Sequence, residues 1–79
     1  MYSTSIQLSS IEAVKKFVTL TNSYGFPINL TTDKYKIDAK SIMGVFSLDL
    51  SKPVHIEVDE DEAKAEEFIS ELHQFELPA

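Results

Sequence analysis

Each regular segment of this sequence carries apolar residues on one side only, and this limits the possible folds more than any other feature does. Residues 54–58, Val-His-Ile-Glu-Val, alternate apolar and polar side chains, and residues 2–8 alternate in a similar way. A period of two with one polar face is typical of a strand that is buried on one side. Residues 28–30 and 35–39 also alternate, and the polar stretch between them predicts that they form a hairpin.

Three other segments repeat apolar side chains at helical spacing. Ser9 followed by Glu12 has the spacing of a capping box and predicts a first helix that runs to about Asn22. Ser41 precedes a short apolar block and predicts a second, short helix. The acidic run at residues 59–62 predicts the start of a last helix, because carboxylates interact favourably with the free amides there. The apolar stripes of the first and last helices are predicted to be Ile11, Val14, Phe17, Val18 and Thr21, and Ala65, Phe68, Ile69, Leu72 and Phe75.

The order of these elements is strand, helix, strand, strand, helix, strand, helix. Because every strand has one apolar face and every helix one apolar stripe, the economical packing is a single sheet with all helices on one side. This is an α+β architecture of two layers. A length of 79 residues leaves room for a single domain over residues 1–79.

Composition excludes several classes of protein. The chain has no Cys, which excludes disulfides, thiolate metal sites and a cysteine nucleophile. Its pI of about 4.7 argues against nucleic-acid binding, which requires a positive patch. Residues 59–79 carry eight acidic residues and one Lys, whereas residues 1–58 carry six Lys and five acidic residues. No apolar run reaches the roughly 18–20 residues of a membrane span, and residues 1–4 lack the start of a secretory signal, so a cytoplasmic protein is expected.

Residues 40–48, Lys-Ser-Ile-Met-Gly-Val-Phe-Ser-Leu, resemble a segment of one known family. It is the regulatory-serine segment of HPr, the histidine-containing phosphocarrier protein of the bacterial sugar phosphotransferase system. The likeness extends without gaps from about residue 5 to residue 58, and the last helix corresponds behind a shorter loop. The resemblance implies an HPr-like open-faced β-sandwich, a four-stranded antiparallel sheet with three helices on one side in the order β-α-β-β-α-β-α.

The family's phosphocarrier chemistry depends on a histidine at the start of the first helix, which accepts a phosphoryl group and passes it on. An arginine follows two residues later, and then a proline. The match puts Ser10, Glu12 and Ala13 at these three positions, and all seven basic residues of the chain are Lys. A carboxylate beside a phosphoryl group is repulsive. We therefore expect a protein that is neither a histidine phosphocarrier nor an enzyme.

Ser41 matches the family's regulatory serine, which a dedicated kinase/phosphorylase modifies. A phosphate at a helix start meets free amides and the positive end of the dipole, with Lys40 adjacent. Ile42, Met43 and Phe46 would surround it with the apolar surface on which family members dock partners. The resemblance thus implies a regulatory protein similar to the catabolite-repression HPr-like proteins, which keep the serine but lack the histidine. Its partners would be the kinase and a transcriptional regulator or another phosphotransferase component.

Several alternatives stay open. Ser41 would serve simply as an N-cap, worth about 1 kcal/mol, in a divergent paralogue that binds an unrelated protein partner without phosphorylation. The chain could instead be a small acidic carrier protein that is modified on serine. Such proteins are all-helical, and the alternating segments, which predict strands, argue against this alternative. His55 is expected on the polar face of its strand, and His73 is expected to be partly buried beside the last apolar stripe. Neither suggests a catalytic or metal site, and we expect no cofactor.

Overall fold

Four strands form one antiparallel sheet in the computed structural model of the protein, which describes residues 2–76. Met1 and residues 77–79, the ends of the predicted domain, lie outside the described residues. The strands are β1 (Tyr2–Ile6), β2 (Ile28–Thr31), β3 (Lys36–Asp38) and β4 (Val54–Val58). Their order across the sheet is β1-β4-β2-β3, so that β4 lies between β1 and β2. In the register, Ile56 of β4 lies opposite Thr4 of β1 and Leu30 of β2.

Two helices lie between these strands and a third follows β4, which confirms the predicted order β-α-β-β-α-β-α. They are α1 (Ile11–Asn22), α2 (Ile42–Phe46) and α3 (Glu66–Leu72), and a 3₁₀ turn (His73–Phe75) follows α3. After this turn the chain returns to the edge of the sheet, where Glu76 forms a bridge with Ile6. Within residues 2–76, no helix combines the length and the apolar character that a membrane span requires.

One face of the sheet is buried under the helices, and the other is open. In β4 the side chains of Val54, Ile56 and Val58 are buried, whereas His55 is exposed. The predicted stripes supply the helical half of the core: Val14, Phe17, Val18 and Thr21 of α1 are buried, as are Ala65, Phe68, Leu72 and Phe75. The α+β architecture predicted from the one-sided segments is therefore confirmed.

The start of α1 differs from the predicted capping box. The N-cap is Ser10 rather than Ser9, and its hydroxyl accepts a hydrogen bond from the amide of Ala13 at 3.1 Å. With the cap one residue later, Glu12 stands one position too early in the first turn to complete a box. Ile11 begins the helix on its exposed side, with 64% of its surface accessible, so its predicted place in the apolar stripe is wrong.

The start of α3 also differs from the prediction, because the acidic run at residues 59–62 leads into a turn over residues 62–64 instead of opening the helix. The carboxylate of Asp61 accepts a hydrogen bond from the amide of Ala63 at 3.0 Å, and its carbonyl accepts from the amides of Lys64 and Ala65. Aspartate stabilises such local turns by bonding to nearby backbone amides, in competition with a continuous helix. The regular helix begins only at Glu66.

Candidate functional site

The N-terminal end of α1 presents Ser10 at the position where the resemblance places the phosphoacceptor histidine. Ser10 is exposed, with extended backbone angles of φ −147° and ψ 162°, and its carbonyl accepts a hydrogen bond from the amide of Val14 at 3.1 Å. Its hydroxyl oxygen is engaged by the Ala13 amide, as in an ordinary N-cap. Glu12, at the arginine position, lies exposed in the first turn. The start of α1 thus carries an exposed hydroxyl and an exposed carboxylate where the resemblance places a histidine and an arginine.

Neither histidine of the chain lies at this helix start. His55 projects from the open face of the sheet, opposite Ser5 of β1 and Thr31 of β2. His73 follows α3 and is exposed, which makes the prediction of partial burial wrong. Its ring Nδ1 pairs with the carboxylate of Glu76, which also accepts a hydrogen bond from the Thr4 hydroxyl at 3.1 Å.

Ser41 is the N-cap of α2, as predicted, and its hydroxyl oxygen accepts a hydrogen bond from the amide of Gly44 at 3.2 Å. The side chain of Ser41 is exposed. The helix behind it packs very closely on β3, because a Cβ atom at Gly44 would stand 2.7 Å from Cγ2 of Ile37. Because Gly44 has no side chain, α2 and its N-cap Ser41 can lie this close to the sheet.

Four large apolar side chains are exposed around these two helix starts, and we call them the exposed apolar surface. They are Ile11, Ile42, Met43 and Phe46. Met43 is the most exposed of them, with 78% of its surface accessible. A shallow groove of about 380 Å³ connects the two regions, because Ser10 and Ile11 line it together with Phe46 and Leu50. The sequence pattern identified the three residues of α2, but missed Ile11, because its helical spacing had placed it in the apolar stripe.

The ammonium group of Lys40 is bound away from Ser41. Its Nζ donates a hydrogen bond to the carbonyl oxygen of Tyr24 at 2.7 Å, just beyond the C-terminal end of α1. The backbone amide of Lys40 donates to the carboxylate of Asp38 at 2.9 Å. The structure therefore does not bring the lysine charge to the Ser41 hydroxyl, although the two residues are adjacent in sequence.

Hydrogen bonds in the loop that follows α2 stabilise the ionised form of one carboxylate, that of Asp49. The hydroxyl and the amide of Ser51 both donate hydrogen bonds to Asp49, and these bonds hold the pKa of its carboxyl below the usual value of 3.8. Ser51 also lines the groove beside Ser10. Across the described residues, His, Asp and Glu side chains do not gather into any group of three that could hold a metal ion.

Comparison with known proteins agrees with this geometry. A family model described as PTS HPr component phosphorylation site matches residues 11–76, a range that begins directly after Ser10 and includes Ser41. No curated protein sequence matches the chain at a significant level.

Two solved structures share the fold. HPr-C-His from Thermoanaerobacter tengcongensis superimposes with a TM-score of 0.73 at 24% identity, over 94% of this chain and 92% of that one. A phosphocarrier protein HPr from Bacillus anthracis str. Ames gives a TM-score of 0.71 at 24% identity, over 96% of each chain. At this level of identity the two structures establish the architecture and leave the chemistry to the residues of the site.

Proposed function

The chain belongs to the HPr family of the phosphotransferase system, and on this basis we propose that it is a regulatory interaction protein of that system and not a histidine phosphocarrier. HPr proteins are phosphocarriers rather than enzymes, and they act by binding protein partners of the system. We further propose that residues 1–79 act as a single domain in the cytoplasm.

The observation that carries this proposal is the identity of the side chains at the start of α1. Ser10 and Glu12 stand there in place of a histidine and an arginine, and the sequence contains no arginine to recruit from elsewhere. A phosphoserine is an ester of low transfer potential, whereas the family's phosphohistidine is a reactive phosphoramidate. The carboxylate of Glu12 would also repel an incoming phosphoryl group. These features support the loss of phosphoryl transfer through a histidine, which we call the relay.

We propose that regulation acts at Ser41. A kinase would transfer the terminal phosphoryl group of a nucleoside triphosphate to Oγ, with release of the nucleoside diphosphate and of the hydroxyl proton. The exposure of Ser41 supports access to its hydroxyl. The phosphate would add a charge of about −1.5 to −2 beside Ile42 and Met43. This charge would change which partners the exposed apolar surface binds.

Two phosphorylation reactions read by intact mass test the proposal. With phosphoenolpyruvate and the upstream phosphotransferase enzyme, we expect no phosphate on the protein and no transfer to a sugar-specific acceptor. With the serine kinase and a nucleoside triphosphate, we expect one phosphate on the wild type and none on Ser41→Ala. Transfer to the acceptor would contradict the loss of the relay. Equal labelling of the wild type and Ser41→Ala would contradict regulation at Ser41.

A second candidate function is partner binding without any phosphorylation. It is favoured by the exposure of Met43 and Ile11 in the unmodified protein. Calorimetric titration with a phosphotransferase component, using unmodified protein and Met43→Asp, separates the two candidates. Binding that Met43→Asp abolishes and that phosphorylation of Ser41 leaves unchanged would favour the second function, and binding that phosphorylation creates or abolishes would favour the first. The all-helical carrier is excluded by the four-stranded sheet.

A further inference from the structure

Side-chain hydrogen bonds join the C-terminal end of α1 to the two residues that precede Ser41. The single proton of the Thr21 hydroxyl is shared between the carbonyl oxygens of Ala39 at 3.0 Å and Val18 at 2.9 Å. The amide group of Asn22 donates to the carbonyl of Lys40 at 3.0 Å. In return, the ammonium group of Lys40 donates to the carbonyl of Tyr24 at 2.7 Å. We call this set of three bonds the clasp.

The three bonds of the clasp differ in how readily they can be exchanged. Thr21 is completely buried, so its hydroxyl has no competing partner in solvent. Lys40 is only partly buried, and its ammonium group stands at the end of a flexible aliphatic stem. The acceptor of its hydrogen bond, the carbonyl of Tyr24, is uncharged. A hydrogen bond between an ammonium group and a phosphate is stronger than one to a neutral acceptor, because both partners are charged. The Lys40 bond is therefore the one that a nearby anion would replace.

The neighbours of Ser41 favour such an exchange when a phosphate is present. The carboxylate of Asp38 is bound to the backbone amide of Lys40, and the carbonyl of Asp38 accepts from the amide of Ser41 at 3.1 Å. A phosphate on Ser41 would add a second negative group to the turn that already holds the Asp38 carboxylate, and this increases the attraction of the turn for the Lys40 ammonium group. Consecutive Cα atoms are about 3.8 Å apart, so the stem of Lys40 can reach a phosphate on the next residue.

We infer that Lys40 reports phosphorylation of Ser41 to the end of α1. Its ammonium group leaves the carbonyl of Tyr24 for the phosphate, and the last turn of α1 loosens as a result. This inference rests on the proposed function, because it needs a phosphate on Ser41. It gives the modification a second effect at Tyr24, on a part of the surface other than the exposed apolar surface.

The experiment uses full-length protein in which phosphoserine is inserted at position 41 during translation, so no kinase is required. The carbonyl of Tyr24 belongs to the peptide group of Gly25, whose amide signal in nuclear magnetic resonance spectra reports on that carbonyl. We expect the Gly25 amide and Lys40 ammonium signals to shift on phosphorylation. Hydrogen exchange of the Ser23 and Tyr24 amides, which close the last turn, should become about fivefold faster.

Three variants serve as controls. In Lys40→Met the Gly25 signal should already be displaced, and phosphorylation should not move it further. Lys40→Arg keeps a cation and should respond to phosphorylation as the wild type does. Lys15→Met removes an exposed lysine from the side of α1 and should leave the response unchanged.

Unchanged Gly25 and Lys40 signals in the phosphorylated wild type would overturn the inference, even if Lys40→Met failed to fold. Equal shifts in Lys40→Met and wild type would also overturn it. A failure of the kinase to modify Ser41 would show in the separate phosphorylation assay and would contradict the proposed function instead.

Discussion

Replacing Gly44 with Ala tests whether the close packing of α2 on β3 limits the side chain at this position. Alanine is the better helix former, and this alone would stabilise the helix by about 1 kcal/mol. The new Cβ, however, would stand 2.7 Å from Cγ2 of Ile37, where carbon atoms prefer a separation of about 3.5–4.0 Å. The two effects have opposite signs, so their magnitudes decide the outcome.

The steric effect should be the larger one. Cγ2 is attached to the branched β carbon of Ile37, whose first side-chain torsion is stiff, so the atom moves only if the backbone or the rotamer changes. Overpacking of this kind typically costs about 1–3 kcal/mol. After the gain in helix propensity is subtracted, we expect Gly44→Ala to lower the free energy of unfolding by about 1 kcal/mol. In a domain of this size that corresponds to a fall in Tm of about 4–8 °C.

Urea denaturation followed by circular dichroism measures this difference, and an unchanged m-value would show that the unfolding transition is of the same kind. Gly25→Ala is the matched control, because a Cβ there meets no atom within 4 Å and Gly25 does not have a positive φ. In an Ile37→Ala background, which removes Cγ2 and leaves the approach of 3.3 Å to the Ser41 hydroxyl oxygen, Gly44→Ala should be clearly less destabilising than in the wild type. A Gly44→Ala protein as stable as the wild type in its native background would refute the steric argument.

Three further changes have defined outcomes. Thr21→Val keeps the shape of the buried side chain but removes the hydroxyl that the carbonyls of Val18 and Ala39 share, so urea denaturation should show a loss of about 1–3 kcal/mol. Ser10→Ala removes the N-cap of α1 and should cost about 1 kcal/mol in the same assay. Ser51→Ala should raise the pKa of Asp49 towards 3.8 in a carboxyl-carbon titration, and an unchanged pKa would contradict the cause given above. Because the folded-state pKa of Asp49 is lowered, its stabilising effect is present above pH 3.8 and is lost as pH falls through the folded-state value.

The fold could be predicted from the sequence wherever periodicity and burial agree. The alternation of β4 predicted its buried and open faces, because a strand's side chains must point to opposite sides. The short helix behind Ser41 was also predicted, because a serine cap and apolar spacing act together there. The two errors in helix starts have a common cause. Ser9, Ser10 and Asp61 can all satisfy free backbone amides, and the pattern alone does not show which of them does so.

The candidate site was predicted less completely than the fold. Sequence order placed Lys40 beside Ser41, but the direction of a long side chain depends on which acceptors the tertiary structure offers. The carbonyl of Tyr24 is supplied by a segment that is distant in sequence and adjacent in space. Ile11 shares the helical spacing of Val14 and Val18, but it is the first residue of α1 and is exposed, which the spacing alone does not show.

The order of the strands has a consequence for how the protein is made. β4 pairs with both β1 and β2. At the edge of β1 that faces away from β4, the backbone pairing among the described residues is the single bridge between Ile6 and Glu76. At a synthesis rate of about 5–20 residues per second, roughly 2–10 seconds separate the translation of Ile6 from that of Val54. During this interval the first strand has no partner to hydrogen bond. The sheet is therefore completed only after β4 has left the ribosome, and until then the apolar side of β1 is available to chaperones.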